Sequence, residues 1–185
     1  MHRFLVLFFA LVFALTSAVT AIALENENLL VSMPSGYKVG FNDRKKNMII
    51  SEMVPAAETV ENWTEMVTVQ IFLGMKDSVM GFRLRMEKLW AAACAGAKSA
   101  PVSSGIENGY VTSMWRLSCP LNKQTGKPEM TWFKTISGHD SFYVVQKAFK
   151  AEPPPEKAAE WVAWLNKVSV CDSRIPQSKC PSGMR

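Results

Sequence analysis

An α+β domain, an antiparallel sheet of about six strands covered by two amphipathic helices, is what three features of this sequence predict. Segments of alternating polarity are joined by short turns, which favours antiparallel neighbours. Two other segments repeat apolar side chains at the three- and four-residue spacing of a helix with one buried face. The order runs strands, helix, three strands, helix, with no low-complexity stretch and no sign of a second domain, the pattern of a layered α+β unit.

The chain opens MHRFLVLFFALVFALTSAVTAIALENEN. A basic start (His2, Arg3) precedes a run from Phe4 to Leu15 without a polar residue, and Ala21-Ile22-Ala23 fits an A-x-A cleavage pattern. This reads as an export leader spanning residues 1–23, followed by a single domain over 24–185 in the periplasm or outside the cell. The competing reading is a retained anchor, since Phe4 to Leu24 is uncharged and near the ~20 residues that cross a bilayer. The Thr, Ser and Ala of its second half suit a signal peptidase substrate better than a lipid-facing helix, so no transmembrane segment is expected after cleavage.

The remaining elements follow in order. LLVSMPSGYKVGF is two short extended pieces around a Pro34-Ser35-Gly36 turn. NMIISEMVP is a third strand, ended by Pro55. In MVTVQIFL, Val67, Val69, Ile71 and Leu73 alternate with Thr68, Gln70 and Phe72, the period of a half-buried strand. From Asp77 the period changes, and Val79, Phe82, Met86, Leu89, Trp90, Ala93 and Ala97 fall on one helical face. Asp77 or Ser78 can cap that helix by accepting from its free backbone N–H groups. Gly96 and Pro101 mark its end.

Three strands then lie at about 110–119, 130–137 and 141–149, with SGHD making a tight hairpin between the last two. Val111, Trp115, Leu117 and Cys119 share one face of the first. Pro155 suits the opening turn of a helix over about 155–168, whose stripe is Trp161, Trp164, Leu165 and Val168.

Four cysteines, all beyond the leader, read as two disulfides in an exported chain. There is no C-x-x-C, and His139 is the one histidine outside the leader, so neither redox nor zinc chemistry has its ligand pattern. The expected bridges are Cys94–Cys119, joining the first helix to a core strand, and Cys171–Cys180, closing a tail loop. Sequence leaves pairings between tail and core open.

The net charge of +5 is scattered apart from Arg44-Lys45-Lys46, which reads as a solvated turn between strands, so no nucleic-acid stripe is present. His139-Asp140 is the place to seek a base, but both lie in a hairpin turn, and no nucleophile stands near them in the sequence. Glu58, Glu61 and Glu65 around Trp63 have helical spacing and read as a solvated short helix. Trp90, Trp115, Trp161 and Trp164 read as core. Trp63 and Trp132 are less well explained and form a candidate ligand surface, with Trp132 on an outer face.

VSMPSGYKVGF, an extended piece followed by Pro-x-Gly-aromatic and another strand, resembles the start of domains in the PsbP-like superfamily. ENWTEMVTVQIF and GHDSFYVVQKAF…WVAWLNKVSVCDSR are similar to an uncharacterised family of secreted bacterial proteins of this size. The superfamily resemblance implies an adaptor, stabilising or ligand-binding module, with no reaction and no cofactor. The expected function is an exported, non-enzymatic protein that binds a protein or envelope partner. The alternatives are a small-molecule or lipid-binding module using the aromatic surface and, third, a hydrolase centred on His139.

Overall fold

The computed structural model describes residues 24–182; the expected leader, 1–23, lies outside the described residues. Two antiparallel meanders make the main sheet. The first comprises β2 (Tyr37–Lys45), β3 (Met48–Pro55) and β4 (Glu65–Leu73). After helix α1 (Val79–Ala93), the second comprises β5 (Lys98–Glu107), β6 (Tyr110–Asn122), β7 (Lys127–Ser137) and β8 (Ser141–Phe149). The strand order is β2-β3-β4-β8-β7-β6-β5, so β4 and β8 meet in the middle and seal the two meanders. Helix α2 (Pro155–Lys167) follows, and β9 (Ser169–Asp172) returns to pair with β1 (Glu27–Leu30) in a separate antiparallel ribbon.

This is the α+β fold that the sequence predicts, with seven strands in the main sheet. The extra strand is β5. Its sequence KSAPVSSGIE is polar and interrupted by Pro101, and a bulge breaks its register between Pro101 and Ser103. As an edge strand exposed along most of its length it needs no apolar alternation, and edges tolerate both proline and bulges.

Side chains alternate across the sheet, so each face has its own core. On one face Trp115, Leu117, Phe133, Phe142 and Val144 meet Val79 and Phe82 of α1. The Trp115 and Phe133 rings stack at 5.0 Å, as their cross-strand pairing requires. Ser78 caps α1, its hydroxyl accepting from the Gly81 N–H. On the other face Met114, Met130, Trp132, Val145 and Phe149 meet Trp161 and Leu165 of α2, and the β1–β9 ribbon adds Leu29 and Val170.

Cys94, at the C-cap of α1, bonds Cys119 with 5.9 Å between Cα atoms. Cys171 of β9 bonds Cys180 with 4.9 Å between Cα atoms. These are the pairings expected from sequence. Arg44 and Lys45 end β2, and Lys46 takes the left-handed conformation in an exposed hairpin turn.

Candidate functional site: an aromatic cleft over a buried lysine

Helical spacing in α2 puts Lys157, Glu160, Trp161 and Trp164 on one flank. Pro34 and Ser35 of the turn before β2, together with Tyr37 at its start, face that flank, and Glu65 at the start of β4 completes the lining. The result is a cleft of about 340 Å³. Its three rings meet edge to face. Tyr37 and Trp161 lie 5.5 Å apart at 71°, and Trp161 and Trp164 lie 5.4 Å apart at 68°.

Beneath the cleft is a charge. Lys147 shares the inward face of β8 with Tyr143, Val145 and Phe149, and its side chain is fully buried. An ammonium has three N–H donors and tolerates burial only when they are used. Nζ donates to the Tyr37 hydroxyl at 2.6 Å and to Glu65 Oε2 at 2.7 Å. It also stands 3.7 Å from the centre of the Trp161 ring, where the negative π face attracts it. Lys157 reaches the other Glu65 oxygen, Oε1, at 2.6 Å.

One carboxylate thus serves two ammonium groups. Burial pulls the Lys147 pKa down to about 8, with Glu65 opposing the shift. Burial works to raise Glu65, yet bonds from Lys147, Lys157 and Tyr37 hold it below its ordinary value. Burial, reinforced by the Glu65 carboxylate, pushes the Tyr37 phenol well up.

A second cluster surrounds His139. Glu27 on β1 is buried, and its carboxylate accepts from the backbone N–H groups of His139 (2.6 Å), Asp140 (3.1 Å) and Ser141 (3.3 Å). The Tyr143 hydroxyl also donates to it, at 2.9 Å. Burial and this carboxylate drive the Tyr143 phenol upward, and burial with Glu27 and Asp172 does the same for Tyr110.

His139 Nδ1 lies 3.7 Å from Glu27 and 3.9 Å from Asp172. Arg174 clamps Asp172 at 2.6 Å and Asp140 at 2.7 Å, and its bonds to Asp172 hold that carboxyl below the usual range. Glu27, His139 and Asp172 bring one metal-ligating atom each within 4.8 Å of one another. The donor set argues against a cation there, because a guanidinium already occupies Asp172 and four protein donors occupy Glu27. Among the described residues His139 makes no bond to a serine or cysteine side chain. Chemically the cluster is a bracket that ties β1 to the β7–β8 turn.

Several residues stand elsewhere than the sequence suggests. Trp132 is a correction: it is buried beneath α2, edge-on to Phe149 and close to the Arg116 guanidinium, because β7 is covered on both faces and has no outer one. Trp63 lies half-exposed in the loop before β4 with the Lys150 ammonium over its ring at 4.1 Å, so the two do not share a surface.

The acidic trio is also separated. Glu58 closes a loop by accepting from the Thr64 N–H and hydroxyl, while Glu65 turns inward on β4 to the lysines. Sequence reading missed Tyr37, Lys147 and Lys157 as cleft residues. The available signal was Lys147 itself, a cation on the apolar parity of a central strand.

No protein-family model and no curated protein matches the chain. Among solved structures it is similar to the Saccharomyces cerevisiae Ran-binding protein Mog1p, at 12% identity over 75% of this chain and 84% of that one, with a TM-score of 0.43. A structure of a Mog1 mutant matches with the same figures. Likeness at that level assigns neither a relationship nor a function.

Proposed function

We propose that this protein is an exported, disulfide-stapled binding module without a catalytic centre, and that its ligand site is the cleft of Tyr37, Trp161 and Trp164. The observation that carries this reading is the built character of the cleft. Three rings meeting edge to face wall it, and a lysine–carboxylate pair holds Tyr37 and Trp161 from below. Lys147 is not placed as a free base, since its ammonium is tied to the Tyr37 hydroxyl and the Glu65 carboxylate and stands over the Trp161 ring. His139 has two carboxylates beside it and no nucleophile to activate.

Export is supported by the leader-like N-terminus and by two cystine bridges. Among the described residues no helix is long and apolar enough to cross a membrane. Envelope association and kinship with secreted bacterial proteins belong to the same proposal. A thermal-shift screen of small solutes tests the site, because a ligand that binds only the native state raises Tm. Solutes that stabilise the native protein should lose that effect in Trp164→Ala. Stabilisation that survives the substitution places binding elsewhere.

A further inference from the structure

We infer that the ligand is a neutral saccharide, an inference that rests on the cleft being the binding site. Charge is the first ground. Lys157, Glu65 and Glu160 line the cleft and the buried Lys147 lies beneath it, so two ammonium groups and two carboxylates leave no net formal charge there. A site without net charge gives an anion or a cation no long-range attraction, which favours a neutral ligand.

The second ground is what the walls offer. One face of Trp161 is taken by Lys147, and its side chain is nearly buried, which leaves half-exposed Trp164 as the platform. The C–H bonds of a pyranose ring carry partial positive charge and pack against such a negative π face.

The third ground is the mixture of donors and acceptors at the rim. Glu160 makes no ion pair among the described residues and offers only acceptors. Lys157 spends one N–H on Glu65 and has two left, and the Ser35 hydroxyl can do both. Sugar hydroxyls need that mixture, since each donates and accepts. An acyl chain in the same place would desolvate these groups without replacing their water, which costs free energy.

The test titrates the native protein, by calorimetry and tryptophan fluorescence, with maltotriose, cellotriose and triacetylchitotriose at millimolar concentration. Choline and benzoate serve as charged probes of similar bulk. At least one trisaccharide should bind saturably. Trp164→Ala should weaken it by about tenfold or more, and Glu160→Gln, an exposed change that spares the core, by severalfold. The melting curve of Glu160→Gln should match the native protein. Trp164→Ala should melt somewhat lower through its lost contact with Trp161 while keeping a native-like circular dichroism spectrum. Binding of choline or benzoate at Trp164 with no response to any trisaccharide overturns the saccharide and keeps the cleft. Silence from every probe overturns both, and saccharide binding indifferent to both substitutions overturns the placement.

Discussion

Lys147 Nζ lies 3.7 Å from the centre of the Trp161 ring and 2.7 Å from Glu65 Oε2, so a fully buried cation is held between a π face and a carboxylate. The partners are unequal in what they support. Glu65 neutralises Lys157 as well, whereas Lys147 pairs with no carboxylate other than Glu65 among the described residues. Glu65→Gln should therefore destabilise the protein by about 3–5 kcal/mol, the usual cost of stranding a buried charge. Lys147→Met should cost less, because Glu65 keeps Lys157. Equal losses in urea denaturation would refute the shared-carboxylate arrangement.

The pH dependence follows from the same pair. The folded pKa of Lys147, about 8, lies below its ordinary 10.5, so the unfolded chain binds more protons between those values and stability rises with pH through that window. Glu65 works at the acid end: its contribution is present above 4.5 and fades as pH falls through its lower folded value. The Tyr37 phenol, raised from 10.0, opposes further gain above that point. Urea midpoints from pH 8 to 10 should climb in the native protein relative to Lys147→Met. Parallel curves would contradict the shift.

Much of the fold was legible because it rests on local pattern. The alternation of Val67, Val69 and Ile71 marks a strand, and the helical stripe through Val79, Phe82 and Met86 marks the covered face of a helix. β5 left no such trace, since no layer covers most of its side chains. The site was less legible for a different reason. Tyr37, Glu65, Lys147 and Trp161 come from four elements, and only the strand order β2-β3-β4-β8 with α2 above brings them together. Trp132 was misread because β7 is covered on both faces, by α1 and by α2, which the sequence of the strand alone does not reveal.

Glu27 and His139 separate structure from catalysis. Glu27→Ala strands three backbone N–H groups and a tyrosine hydroxyl, and should cost about 3 kcal/mol with faster hydrogen exchange at residues 139–141. Gly138→Ala should act in the same direction, because a Cβ there would collide with the Glu27 carboxylate. His139→Ala, with a side chain 58% exposed, should leave stability within about 0.5 kcal/mol. A hydrolytic activity abolished by His139→Ala at unchanged stability would move the third reading to first place.

The two bridges should differ in weight. Cys94–Cys119 spans 25 positions and Cys171–Cys180 spans 9, so restricting the unfolded chain stabilises by about 3.5 and about 2.6 kcal/mol respectively. Paired alanine substitutions compared by urea denaturation measure the difference, and non-reducing peptide mapping checks the connectivity. A peptide joining Cys94 to Cys171 or Cys180 would contradict it.

Export makes its own demand. The mature chain should begin near Leu24, and mass spectrometry of the exported form should show residues 1–23 missing. A full-length species held in the membrane would restore the anchor reading.

The most direct measurement of the central claim is the ¹H–¹⁵N spectrum of the tryptophan indoles, recorded while chemically diverse small fragments are added. Binding in the cleft predicts that the Trp161 and Trp164 indole signals move together, while those of buried Trp115 and Trp132 stay in place. Shifts confined to the backbone amides around His139, with Trp161 and Trp164 unmoved, would contradict it.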